Sequence, residues 1–223
     1  MTLRSSKFAV ILVAAVSTAV PATASAQIGL RNMIPGARTS SAAATNPDSF
    51  LAETIETTKY MMIAAAVLAK AAESDENRDA LRAEIAAIQS ISDIGELDAQ
   101  RDSFASNTEA AALNYQDAAA TQAKYDAATA EQQQLLLSAA YNFSLGMARN
   151  TQLASQGSTL LQSMMANPML LSRVGSVRTA TGLLALQAKA ARSMGGPLRT
   201  LMSRGGVQPP TEASAAEPKP VVL

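Results

Sequence analysis

The sequence predicts an all-α protein, an antiparallel bundle of about five helices with coiled-coil-like packing. Three observations support this fold class. Ala, Gln, Leu and Met are abundant, aromatic residues make up 4% of the chain, and Val and Ile are sparse after residue 94, a composition that favours helix over strand. Residues able to cap a helix stand at Asn46, Thr129 and Asn167. Apolar residues then recur at spacings of three and four over long stretches, as on one face of a helix.

The N-terminus has the pattern of a secretory signal peptide. Arg4 and Lys7 precede the apolar run Phe8–Val20, and an Ala-Ser-Ala sequence that suits a signal peptidase ends at Ala26. A bilayer-spanning helix needs about 20 apolar residues, so this run is too short for an uncleaved anchor. We therefore expect cleavage between Ala26 and Gln27, with export to the bacterial periplasm or beyond.

Composition divides the chain into four parts. Residues 1–26 are the expected signal peptide, and residues 27–45 carry Pro-Gly and a Ser/Ala run typical of a flexible lead-in. Residues 46–203 are expected to form the helical bundle. Residues 204–223 are rich in Gly, Pro and Ala with little to bury, which predicts a disordered tail.

The first three predicted helices lie between residues 46 and 127. Asn46 and Pro47 form a cap followed by proline at the first helical position. The first helix is expected to run to about Glu73 and, with apolar residues on more than one side, to be central. Ser74 is expected to cap the second helix, which ends near residue 92. A third helix over 96–127 has a narrow apolar stripe and is expected at the periphery.

The fourth helix has the clearest periodicity in the chain. Thr129 is its predicted cap, and a stripe with alternating steps of four and three extends to about Ala166. A polar residue within such a stripe often fixes register, which is the role expected of Asn150. Gly146 and Gly157 either bend this helix or let another helix approach closely. The stripe consists of Leu136, Ala140, Phe143, Met147, Asn150, Ala154, Gly157, Leu161 and Met164.

The fifth helix is expected to begin at Asn167-Pro168 and to end at Gly195-Gly196-Pro197. Its expected core stripe consists of Leu170, Val174, Val177, Thr181, Leu184, Ala188 and Ala191.

Charge is segregated along the chain. Residues 48–131 contain sixteen acidic and six basic residues, a net charge of −10, whereas residues 132–211 contain seven basic residues and no acidic one. Either the two halves neutralise each other within the fold, or the basic half faces an anionic partner or lipid surface. The candidate residues for binding an anionic partner are Arg173, Arg178, Lys189, Arg192, Arg199 and Arg204.

Several classes of chemistry are disfavoured by residue types that the chain lacks. It contains no His and no Cys, so it has no disulfide, none of the usual ligands of zinc, copper and haem, and no His general base. Paired carboxylates such as Glu53 with Glu56 are typical of a solvated helix surface. We therefore predict no catalytic, cofactor or metal site, and no nucleic-acid binding because aromatic side chains for base stacking are absent after Phe143.

These observations favour a non-enzymatic helical protein that binds a partner or organises a structure of the cell envelope. One alternative is a protein that binds a membrane surface or anionic lipid through its basic C-terminal helix. Another is an enzyme with a carboxylate site of unrecognised type. The sequence leaves the oligomeric state and the identity of the partner open.

Overall fold

The computed structural model describes residues 46–71, 75–210 and 216–221, and within these ranges the chain forms helices and no strands. The all-α class is therefore confirmed, but the described part contains seven α-helices and one 3-10 helix where the sequence predicted about five helices. The α-helices are α1 (Pro47–Lys70), α2 (Asp75–Ser90), α3 (Ile94–Ala99), α4 (Arg101–Asn114), α5 (Ala118–Ala127), α6 (Ala130–Met165) and α7 (Val174–Arg204), and the 3-10 helix is Pro168–Arg173.

Helix α1 lies in the middle of the fold, packed against α2, α4, α6 and α7. The Asn46 side chain accepts a hydrogen bond from the Asp48 N–H at 2.9 Å, and Pro47 occupies the first turn, as the sequence predicts. The residues from Met61 to Ala69 are all buried. A helix buried around its whole circumference is a central one, so α1 is the element around which the others assemble.

The single helix predicted over 96–127 is three helices in the structure. Asp93 caps α3 by accepting from the Gly95 N–H at 2.6 Å, and Asp117 caps α5 by accepting from the Ala120 N–H at 2.7 Å. An Asp side chain that bonds the backbone ahead of it favours starting a new helix over continuing an old one. The Asp117 cap accounts for the start of α5, whereas Gln100, which precedes α4, makes no side-chain cap bond.

Helix α6 begins with a capping box, because Thr129 and Gln132 each accept from the other's backbone N–H. The predicted positions at intervals of seven are buried, among them Leu136, Phe143 and Asn150. Of the predicted intermediate positions, Ala140 is buried, but Met147 and Leu161 are half-buried and Ala154 is exposed. Buried residues outside the predicted stripe include Ala139, Gly146, Leu153 and Leu160.

Two glycines on the buried side of α6 explain this difference. A Cβ added at Gly146 would lie 2.2 Å from Met61 Cγ, and one added at Gly157 would lie 2.9 Å from Phe50 Cζ. Both glycines therefore let α1 approach closely, which was one of the two roles considered for them. The sequence pattern favoured the larger Met147 over Gly146, whereas close packing favours the smaller residue.

The expected fifth helix divides and then runs further than predicted. Asn167 caps the 3-10 helix by accepting from the Met169 N–H at 3.1 Å. Helix α7 continues through Gly195-Gly196-Pro197, where its end was predicted. A proline inside a helix costs about 3 kcal/mol, but burial of Leu198 and Leu201 on the same face as Met194 offsets that cost.

The true end of α7 is at Gly205-Gly206. Gly206 has a φ of 65°, in the left-handed region that glycine adopts easily. The Val207 N–H donates to the Met202 carbonyl at 2.9 Å and the Gly206 N–H donates to the Ser203 carbonyl at 3.4 Å. These two bonds form a Schellman cap.

The tail differs in part from the disordered segment predicted over 204–223. Arg204 is the last residue of α7, and residues 216–221 lie against α6, where they accept and donate hydrogen bonds. The signal peptide, its cleavage position, the lead-in over 27–45 and the Ser74 cap lie outside the described residues. Within the described residues, no helix is both long enough and apolar enough to cross a membrane.

Candidate functional site: the cationic face of α7

The six predicted cations all have exposed side chains. Four of them share one side of α7: at 100° per residue they fall within an arc of about 80°, and they extend over about 32 Å of helix axis. We call this set the cationic face; it consists of Arg178, Lys189, Arg192 and Arg199. Arg173 ends the 3-10 helix and Arg204 ends α7, so the structure brings four of the six onto one surface and places the other two at its ends.

Local structure positions the cationic face. The opposite side of α7 packs into the core through residues such as Val177, Leu184 and Met194, none of which has exposed surface. Helix periodicity then directs Arg178, eleven residues before Lys189, outward. The amphipathic pattern of the helix therefore fixes the cations in one row rather than leaving them scattered.

Two of the six cations have partners within the fold. Arg173 Nη2 lies 3.1 Å from Asp48 Oδ1, which joins the 3-10 helix to the first turn of α1. Arg204 Nη2 donates to Gln122 Oε1 of α5. Both ends of the row are thus tied to the acidic half, although the Arg173–Asp48 pair is more than half exposed and is worth little in water.

The cationic face itself has no such partners. The side chains of Arg178, Lys189, Arg192 and Arg199 make no hydrogen bond or ion pair with any part of the chain that the structure describes. In the acidic half, by contrast, Lys70 lies 2.5 Å from Glu84 and Arg101 lies 2.5 Å from Asp98. Within the described residues, no ion pair joins these four cations to the acidic half.

A surface cavity of about 570 Å³ lies beside the cationic face. It lies between α4 and α7, with Lys189 and Arg192 among its lining residues and Glu109 as its carboxylate. Phe104 and Leu186 give it an apolar part. A hollow of this kind suits a group that has an anionic end and an apolar stem.

An exposed apolar tip lies where α6 leads into the 3-10 helix, and sequence reasoning missed it. Met169 is 90% exposed, Met165 is 73% exposed and Leu171 is 54% exposed. The available signal was the apolar run on both sides of Asn167-Pro168, but helical periodicity alone does not show which of its residues pack against a core. We call Met165, Met169 and Leu171 the apolar tip.

The best-connected carboxylate outside this surface joins helices. Glu84 of α2 accepts from Lys70 at 2.5 Å, from Asn107 at 2.8 Å and from Ser103 at 3.1 Å. Burial by itself raises the pKa of Glu84, but the hydrogen bonds from Lys70 and Asn107 outweigh it and hold the pKa below its usual value. The stability that this ionised group contributes is therefore present above its unfolded pKa and is lost as pH falls through the lowered folded pKa.

No group of three or more His, Cys, Asp or Glu side chains within the described ranges is placed to hold a metal ion.

Comparison with protein-family models, with curated proteins and with solved structures found no match to this chain.

Proposed function

We propose that this chain is an exported, non-enzymatic binding protein of the bacterial cell envelope, and that the cationic face of α7 binds an anionic partner protein. The observation that carries the proposal is the row of four exposed cations whose side chains have no partner among the described residues. Residues 132–211 add no acidic residue that could offset them. The partner's acidic surface supplies the charge that the fold does not.

The geometry of the row supports a protein partner. The row is about 32 Å long, several times the screening length of about 8 Å at physiological salt, so a partner must contact it along its length to gain from all four charges. Electrostatic complementarity of this kind raises the rate of association and selects the partner. The hollow beside Lys189 and Arg192 adds apolar contact at one point of the row.

An anionic lipid surface is the second candidate, and the apolar tip favours it. Because the apolar side of α7 is buried in the core, α7 has no apolar face left to enter a bilayer. Met165, Met169 and Leu171 form a group of exposed apolar residues able to do so, and cations near such residues strengthen attachment to anionic lipid. This candidate therefore requires the tip, whereas binding of a protein through the cationic face does not.

Two assays on the mature chain separate these candidates. A pull-down from envelope extract, followed by mass spectrometry, is expected to recover a partner with an acidic surface. Co-sedimentation with phosphatidylglycerol vesicles tests the lipid surface, with Leu171→Ser as the tip variant and Leu113→Ser as a matched control, since Leu113 is 67% exposed elsewhere. Loss of vesicle binding in the Leu171 variant alone would assign the lipid function. Absence of both a co-purifying partner and vesicle binding would reject the proposal.

Export is tested separately. Intact-mass measurement of periplasmic material is expected to match residues 27–223, because cleavage is predicted between Ala26 and Gln27. A mass that corresponds to the full chain in that compartment would reject the cleavage.

A further inference from the structure

The C-terminal segment Ala216–Val221 lies against α6, at a groove that α6 forms with α1. Proline stands on both sides of Lys219, at positions 218 and 220. Proline fixes φ and lacks an N–H, so this stretch is biased toward an extended conformation before it binds. We call Ala216–Val221 the tail segment.

Asn142 binds the backbone of the tail segment with both ends of its amide. Its Nδ2 donates to the Lys219 carbonyl at 2.8 Å, and its Oδ1 accepts from the Lys219 N–H at 2.7 Å. The amide is buried, with Asn142 4% exposed. Since Pro218 and Pro220 have no N–H, the Lys219 N–H is the single backbone donor between them, and it is the one that Asn142 accepts.

Two further contacts align the tail segment. Arg149 Nη2 donates to the Ala216 carbonyl at 2.7 Å. Lys219 Nζ lies 4.6 Å from the centroid of the Tyr141 ring, within the range of a cation–π interaction. Asn142, Arg149 and Tyr141 all belong to α6, so one helix recognises the backbone at two points and the lysine side chain at a third.

The groove is wider than the tail segment. A hollow of about 510 Å³ remains between Pro218, Pro220 and Val221 on one side and α1 on the other, where Ile55 and Ile63 line it. A peptide with larger apolar side chains would fill this space while it keeps the same backbone contacts to α6.

We propose that this groove is a peptide-binding site for extended segments of the Pro-Lys-Pro type, and that the tail segment is its resident ligand in cis. A bidentate backbone contact, a lysine on an aromatic ring and an apolar wall are the elements of recognition for a preformed extended peptide. The tail segment, linked to the site, competes with any such peptide in trans because its effective concentration is high. This site lies on α1 and α6 and is separate from the cationic face.

The test uses the full chain and a fluorescent peptide with the sequence of residues 216–221. Lys219→Pro removes the N–H that Asn142 accepts and leaves the groove intact. This variant is expected to bind the peptide about tenfold more tightly than the wild type, since a lost hydrogen bond to a buried amide weakens the cis competitor by about that factor. A control peptide with proline in place of the lysine is expected to bind neither chain.

A second variant keeps the test decisive. Lys219→Pro combined with Asn142→Ala is expected to lose peptide binding while circular dichroism shows the helical content of the wild type. If Asn142→Ala prevents folding, Tyr141→Leu in its place is expected to weaken binding several-fold through loss of the cation–π contact. Equal peptide binding by the wild type and the Lys219 variant, or by the control peptide, would overturn the proposal.

Discussion

Polar side chains on the inward and outward faces of α7 differ in whether they have hydrogen-bond partners within the described chain. On the inward face, Gln187 is 1% exposed and both ends of its amide are bonded: Oε1 accepts from Asn150 at 3.0 Å and Nε2 donates to Thr58 at 2.6 Å. On the outward face, Arg178 and Lys189 have no such partner within the described chain. At Gln187, where burial makes an unpaired polar group costly, the fold supplies partners. On the outward face, water can solvate the charges, which stay available for another molecule.

The largest expected effect is on the inward face. Leu184 is fully buried against the core, and Leu184→Ala removes its transfer free energy and leaves a cavity. The free energy of unfolding should fall by about 2–5 kcal/mol, as measured by urea denaturation. A loss below about 0.5 kcal/mol would show that α7 does not pack as described, since changes of that size are typical of surface positions.

The buried hydrogen bond between Asn150 and Gln187 should give the next largest effect on stability. Asn150→Leu leaves Gln187 Oε1 buried without a donor, and the free energy of unfolding should fall by about 1–3 kcal/mol. Adding Gln187→Leu removes the orphaned acceptor, while Thr58 still donates to the Thr54 carbonyl at 2.6 Å.

The double variant should therefore recover most of that loss, and a double-mutant cycle measures the recovery. If the two losses simply add, Asn150 and Gln187 do not act as a pair. Either result sharpens the contrast with the outward face, where the described structure shows no coupled polar groups.

Substitution of two glycines should give effects of opposite sign. Gly157 of α6 faces both α1 and α7, and a Cβ there would lie 2.9 Å from Phe50 Cζ and 3.2 Å from Thr181 Oγ1. Gly157→Ala should therefore destabilise the fold by about 1–3 kcal/mol. Gly195 of α7 has no atom within 4 Å of an added Cβ. Gly195→Ala should stabilise by about 0.5–1 kcal/mol through helix propensity.

Thermal unfolding of both variants checks the signs. Destabilisation by Gly195→Ala would mean that the bend-prone sequence Gly195-Gly196-Pro197 needs its glycine.

Capping signals and the outward position of the cations were predictable from the sequence because each depends on a few neighbouring residues. Asn46, Thr129 and Asn167 all cap as expected, and periodicity alone places Arg178 and Lys189 on the same side. The rest depended on tertiary contacts. Gly146 is a core position because Met61 of α1 fills the space beside it. No local sequence pattern identifies Met61 as its neighbour.

The same reason explains the end of α7 and the tail. The signal at Gly195-Gly196-Pro197 is a strong local stop, and burial of Leu198 and Leu201 overrides it. The tail segment has the composition of a disordered chain, yet Asn142, 77 residues before Lys219, binds its backbone. Contacts over such separations are set by the assembled fold.

The outward face should contribute almost nothing to stability, and this is the smallest expected effect on the fold. The control for the test is a charge-preserving variant, Arg178→Lys, Lys189→Arg and Arg192→Lys, which keeps three cations while it changes their shape. It should bind the anionic partner or surface nearly as the wild type does if charge carries the contact.

The most direct test of the cationic face is the variant Arg178→Gln, Lys189→Gln and Arg192→Gln, measured for both unfolding and binding. We expect the free energy of unfolding to change by less than about 0.5 kcal/mol, because these side chains have no partner within the described chain. Binding to the co-purified partner or to anionic vesicles should weaken, and its dependence on salt should flatten as three charges leave the interface. A variant that loses several kcal/mol of stability and binds as before would show that the cations serve the fold, which would contradict the account.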